Sequence, residues 1–143
     1  MLFNSLQLGL SGLKRNTRII LGVLLVFLAE STKAAPVSFQ GDLMPTIKRR
    51  CGACHITGDE PGKMALVPSR AWQSLVGQPS VELPSMLRIS AGKPNESYVW
   101  HKVNGSHREV GGSGARMPMH QPPLPSAFLV LFEQWIEQGA PDN

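Results

Sequence analysis

Cys51-Gly52-Ala53-Cys54-His55 is the stretch on which the reading of this chain turns. It holds the only two cysteines among 143 residues, two residues apart, with a histidine directly after the second. C-x-x-C-H is the attachment pattern of c-type haem. The spacing has a chemical reason. Two intervening residues set both thiols where they can add to the two vinyl groups of one porphyrin as thioethers. The next residue then falls beneath the iron, where an imidazole nitrogen can bind axially. Cys51, Cys54 and His55 are therefore candidate cofactor-binding residues for one covalently attached haem c, with His55 as a ligand to its iron. Three other chemistries use paired cysteines. A thioredoxin-like redox pair needs a βαβ setting, and the flanking sequence offers none. A zinc site could recruit two of the four histidines, but it leaves a histidine beside a cysteine ligand without a role. A disulfide would close so short a loop that it restrains little of the unfolded chain.

Upstream of this motif the chain changes character. Lys14, Arg15 and Arg18 precede an apolar run, residues 19–29, which is followed by Glu30-Ser31-Thr32-Lys33-Ala34-Ala35. This is the layout of a secretory signal: a basic region, a short apolar region and small residues at the cut. The apolar run is well short of the roughly 20 residues that cross a bilayer. Residues 1–34 are thus expected to be a signal peptide cut after Ala34, with an uncleaved anchor as the alternative because residues 2–13 are also rather apolar. No cysteine stands near the cut, which excludes a lipid-anchored form. Export suits the motif, since in bacteria c-type haem is attached outside the cytoplasmic membrane, and it points to a periplasmic or secreted protein. Four of the 14 basic residues and one of the 10 acidic ones lie in this segment, so its removal takes the formal net charge from +4 to +1. The basicity is a targeting feature, and no nucleic-acid partner and no stable membrane insertion are expected of the mature chain.

Residues 35–143 suffice for one small domain with a limited apolar core, rich in glycine and proline and hence in loops. Phe39, Leu43 and Ile47 recur at four-residue spacing, one face of a helix leading into Cys51. Ser38 or Asp42 could cap it, and Pro45 either kinks it or sits in its first turn. Lys48, Arg49 and Arg50 suit its negative end as a solvated basic face, with a docking patch as the second reading. Residues 56–68 read as a loop from which a carbonyl should accept the second ring N–H of His55. A short helix over 70–76, capped by Ser69 and ended by Gly77, carries Trp72 as core packing. A second begins at Asn95 or Ser97, runs to Asn104 and stops at Gly105. Residues 105–114 lack the lysine and following helix of a phosphate-binding loop and read as a flexible surface loop. A last helix, residues 126–138, presents Phe128, Phe132, Trp135 and Ile136 as one stripe, with Gly139 after its end.

Together these features resemble the class I cytochrome c superfamily, most closely small planctomycete-type cytochrome c domains. Pro45-Thr46-Ile47 lies ahead of the haem motif, and Lys93-Pro94-Asn95-Glu96-Ser97-Tyr98 resembles the family's Pro-x-x-Ser turn. Arg116-Met117-Pro118 resembles its Met-Pro axial-ligand motif, and Trp135-Ile136-Glu137-Gln138-Gly139-Ala140 its C-terminal helix ending. The resemblance implies an all-α fold, a small loop-rich cytochrome c domain over 35–143 with three to five short helices around one haem. It implies that Phe39, Leu43 and Ile47 pack on Phe128, Phe132 and Trp135. Pro125 stands where the family has a serine cap, and the glycine-rich loop before Arg116 is longer than typical.

The resemblance also names Met117 as second ligand to the iron, ahead of Met119 and His120. His101 and His107 read as solvated surface histidines. Met/His ligation favours a high reduction potential. No catalytic residue is assigned and the chain is not expected to be an enzyme. The expected function is an exported mono-haem electron carrier working by outer-sphere transfer with unidentified redox partner proteins. The alternatives are the electron-accepting subunit of a periplasmic dehydrogenase and a haem-based gas sensor in which Met117 lets go.

Overall fold

Of the 143 residues, the computed structural model describes 34–143. The signal segment anticipated over 1–34 lies outside the described residues, except Ala34. Pro36–Asn143 is one compact unit. It is helical, and among the described residues there is no strand. A π-helical turn, Phe39–Leu43, runs into α1, Met44–Arg50; α2 spans Ala71–Leu75; a 3-10 turn, Pro94–Glu96, precedes α3, Tyr98–Asn104; α4 spans Ser126–Glu137. No described helix is long and apolar enough to cross a membrane.

The start of the first helix combines both sequence alternatives. Ser38 Oγ accepts from Gly41 N at 3.0 Å while Asp42 Oδ2 accepts from Ser38 N at 2.8 Å, so the two caps act reciprocally. Pro45 falls in the first turn of α1. Having no N–H and a ring that crowds the carbonyl four residues back, it would break a regular ladder, and the wider π turn ahead of it absorbs the misfit. Phe39, Leu43 and Ile47 stay on one buried face.

That face packs on α4. The rings of Phe39 and Trp135 stack with centroids 5.0 Å apart, Trp135 continues onto Phe132 at 5.7 Å, and Phe132 onto Phe128 at 5.8 Å. The implied pairing of first and last helices is therefore present, and the apolar stripe of α4 is the buried set named from its periodicity. The helix closes in a Schellman arrangement, Ala140 N to Trp135 O at 2.9 Å and Gly139 N to Ile136 O at 3.0 Å. Pro125, which occupies the cap position, leaves that end without a side-chain cap. Trp135 is wholly buried and donates its indole N–H to Pro141 O at 2.9 Å. Trp135→Ala is expected to cost about 3–5 kcal/mol, the usual range for emptying a buried aromatic site, read as a lower urea midpoint at unchanged slope. A loss under about 1 kcal/mol would mean that α4 is not the keel of the core.

The smaller helices hang on this pair. Residues 86–89 form an extended rung between α2 and α3: Ile89 N donates to Leu75 O at 3.1 Å, Tyr98 N to Leu87 O at 2.9 Å and Val99 N to Arg88 O at 3.0 Å. Isolated bridges join Val76 to Ile89, Pro79 to Leu87 and Leu87 to Ser97. The rung buries Ile89 and Arg88. α2 is a residue shorter at each end than anticipated, with Arg70 at its N-cap in place of Ser69. Trp72 packs against the core and donates to Ala140 O at 2.9 Å. Ser97 precedes α3 without capping it; its hydroxyl reaches back to Lys93 O at 2.9 Å.

Candidate haem-attachment site

The C-x-x-C-H segment is a tight turn on the end of α1. Cys51 N donates to Ile47 O at 2.8 Å, and both Cys54 N and His55 N donate to Cys51 O at 3.1 Å. Gly52 has a local reason. A Cβ there would stand 2.7 Å from Lys48 O, so only glycine lets the turn close on the helix. The two thiols and the imidazole all stand on this one turn. Cys51 packs against the apolar core, Cys54 is exposed and His55 is half-buried.

Their chemistry bears on the competing readings. Both cysteines are free thiols. Burial pushes the Cys51 thiol up to about 11, partly opposed by Arg50, so it is protonated at neutral pH. A redox nucleophile needs the opposite shift. No group of three or more His, Cys, Asp or Glu among the described residues could hold a metal ion, which leaves a zinc reading short of ligands. Burial lowers the His55 pKa, against an upward pull from Glu60, which favours the neutral imidazole that can bind a metal. Its Nδ1 is buried and has no hydrogen-bond partner. The carbonyl expected to accept from that nitrogen is not in place. The Gly62 and Lys63 carbonyls in the loop are taken by the Arg88 guanidinium, at 3.1 and 2.9 Å. Two unpaired thiols and a half-buried imidazole on one turn form the donor set that covalent haem attachment requires.

The loop after His55 is ordered by Glu60. Its carboxylate accepts from Thr57 N at 3.0 Å, Gly58 N at 2.9 Å and Thr57 Oγ1 at 3.1 Å. The backbone hydrogen bond from Thr57, the largest of these influences, helps bring its pKa down to about 2. A depressed carboxylate contributes its stability above the ordinary value of 4.5 and loses it as pH falls through the folded value, here about 2. The amide proton shifts of Thr57 and Gly58 are expected to stay constant from neutral pH down to about pH 3 and to titrate with a midpoint near the folded value of about 2. In Glu60→Gln that titration should vanish. The same titration surviving the substitution would assign it to another group.

Met117 is half-buried against the core, and its N–H donates to Lys102 O at 2.9 Å. The Met117–Pro118 peptide is cis. Met119 is 50% exposed, and His120 is exposed with φ +58°. Of the three candidates for the sixth position, Met117 alone is held by the fold.

One sequence expectation nearby is refined and another corrected. Residues 105–114 form a largely exposed loop, as expected, but one tethered to the rest of the fold. Lys102 Nζ pairs with Glu82 at 2.8 Å and donates to Ser113 O at 2.9 Å; His107 Nε2 lies 3.2 Å from Gly114 O; Arg116 Nε donates to Val103 O at 3.0 Å. His101 and His107 are buried, not solvated. His101 bridges Ser106 Oγ at 2.6 Å and Asn95 O at 3.1 Å.

Arg50 also has a role that its charge alone did not reveal. It donates through Nε to Gln121 Oε1 at 2.8 Å and through its guanidinium to Pro122 O, tying the Cys51 helix to the segment after Met117. Two surface cavities, of about 290 Å³ beside Arg70, Ser74 and Arg88 and about 230 Å³ beside Met44, Pro45 and Lys48, are lined by none of Cys51, Cys54, His55 or Met117. Arg88 and Met64, which packs on the core beside Gly62, were not singled out in the sequence. A lone arginine or methionine in a loop carries no spacing signal.

No protein-family model, no curated protein and no solved structure matches this chain.

Proposed function

We propose that this chain is an exported mono-haem c-type cytochrome that carries electrons between partner proteins. The observation that carries the reading is the Cys51-Gly52-Ala53-Cys54-His55 turn, with two free thiols and a half-buried imidazole presented from one helix end. Cys51 and Cys54 would hold the porphyrin and His55 and Met117 its iron. The group supplies a one-electron ferrous/ferric couple when bound.

The protein's own part is to hold ligands and limit access. α1 and the tight turn after it set the spacing of the two thiols and the imidazole. Burial lowers the His55 pKa and so disfavours the protonated imidazole. Arg50 and Lys102 hold the segment on either side of Met117, so that the thioether comes from a backbone already in place. If His55 and Met117 both hold the iron, no position would be left on it for substrate, which argues for a carrier over an enzyme. The reading is tested on the purified exported protein by a haem-stained denaturing gel and a reduced spectrum under carbon monoxide. Covalent haem and no carbon monoxide binding are expected. Haem that leaves the chain on denaturation would sink the covalent reading, and tight carbon monoxide binding would move the chain to the gas-sensor class.

A further inference from the structure

Among the described residues, Arg88 is a buried cation whose charge has no ion-pair partner. It is 8% exposed, and the ion pairs among the described residues, Lys93–Glu96 and Lys102–Glu82, do not include it. Burying a guanidinium without a carboxylate is unfavourable unless its donors are used. Three carbonyls use them: Nη1 donates to Ser74 O at 2.7 Å, and Nη2 to Gly62 O at 3.1 Å and Lys63 O at 2.9 Å. Nε, also buried, has no partner.

The two carbonyls on Nη2 belong to an unusual piece of backbone. Gly62 has φ +88° and Lys63 φ +52°, two consecutive left-handed residues, the second of them not glycine. Such a conformation persists only where its surroundings over-determine it. Gly62 also lies against the axial imidazole: a Cβ at this position would stand 3.5 Å from His55 Cε1 and 3.4 Å from Met64 Cε. Ser74 closes the knot from the other side, its hydroxyl accepting from Ala65 N at 2.9 Å, while Leu66 N donates to His55 O at 2.8 Å. His55 Nδ1 meanwhile lacks the acceptor that ordinarily orients a metal-bound histidine.

We infer that Arg88 is a positioning residue for the His55 imidazole: by holding the Gly62 and Lys63 carbonyls it fixes the backbone against the ring edge and so sets the ring's plane. The inference rests on the haem reading above and adds the element that takes over the work of the missing hydrogen bond. It requires the fork of the guanidinium, which reaches carbonyls of two segments at once, and not merely a positive charge.

The test uses the haem-loaded protein and reads the imidazole plane, not electron-transfer activity. The g-value spread of the ferric form and the shifted ring-proton resonances of His55 are compared among the parent, Arg88→Met, Arg88→Lys and Gly62→Ala. All three variants are expected to shift both signals at unchanged haem content. Gly62→Ala leaves the guanidinium intact and perturbs the same contact from its other side; it and Arg88→Lys carry the test if Arg88→Met fails to fold. Signals that coincide with the parent's in every variant while the melting temperature falls would make Arg88 a structural staple and overturn the inference. Signals that move in Arg88→Met but not in Arg88→Lys would assign the effect to charge and overturn it equally. A parent protein without covalent haem would instead remove the functional reading, and this one with it.

Discussion

Replacing both cysteines, Cys51→Ala with Cys54→Ala, is expected to yield a chain that carries no haem and no longer unfolds cooperatively. The helices explain why. α1 and α3 have seven residues each and α2 five, all below the length at which a helix persists without tertiary support, and only α4 reaches 12. Their support is one apolar cluster in a domain of limited size, centred on Phe39, Leu43, Phe132 and Trp135. At the motif that cluster gives out: Cys54 is exposed and Ile56, directly after His55, is 48% exposed. A porphyrin seated there would add the apolar surface this end lacks. Either single substitution should keep one covalent link and much of the fold. The measurement is a haem-stained gel beside a urea titration followed by circular dichroism. A haem-free double variant with the parent's transition midpoint would show that the Phe39–Trp135 core suffices alone.

The second large effect is expected at Met117. Met117→Ala should remove the methionine–iron band, open the iron to carbon monoxide and lower the reduction potential on the order of 0.1–0.3 V, a fraction of the roughly 0.8 V that axial ligands span. The direction follows from thioether sulfur, a soft ligand that favours the ferrous state. Met119→Ala should change none of these, because Met119 stands in solvent while Met117 is packed on the core and tied through its N–H to Lys102 O. Exchanged phenotypes would make Met119 the ligand. An unchanged spectrum in both variants would leave His120 or another histidine, and the high-potential carrier would fall.

Glycine content alone suggested that ordering the approach to Met117 is costly, and so that this ligand opens early on heating. The network of Lys102, Glu82, Ser113 and His107 adds a second contribution, since it tethers the approach at His107 and Ser113. Early opening of the sixth position should therefore follow loss of this network as well as chain entropy at Gly111 and Gly114.

Much of the scaffold was legible because its signals are local. The spacing of Phe39, Leu43 and Ile47, the stripe of Phe128, Phe132, Trp135 and Ile136, and the glycines at 105 and 139 act through neighbours within one or two helical turns. The buried faces and helix ends follow them closely. The histidines were misjudged for the converse reason. Nothing within four residues of His107 indicates burial; its partner Gly114 is brought round by a loop closed through Glu82, 31 residues before Ser113 in the chain.

The short helices of residues 34–143, and the sharing of one turn by two thiols and an imidazole, were legible without the fold, because hydrogen bonds over three or four residues settle both. Which groups attend that turn is settled by packing instead. Arg88 reaches Gly62 across 26 residues and Arg50 reaches Gln121 across 71. Such meetings depend on how the apolar faces of the first helix and α4 dock and on which backbone carbonyls are left unpaired when they do. Burial of an unpaired guanidinium is a property of the packed whole, in which three carbonyls from two segments converge on one side chain, and no pattern along the chain encodes it.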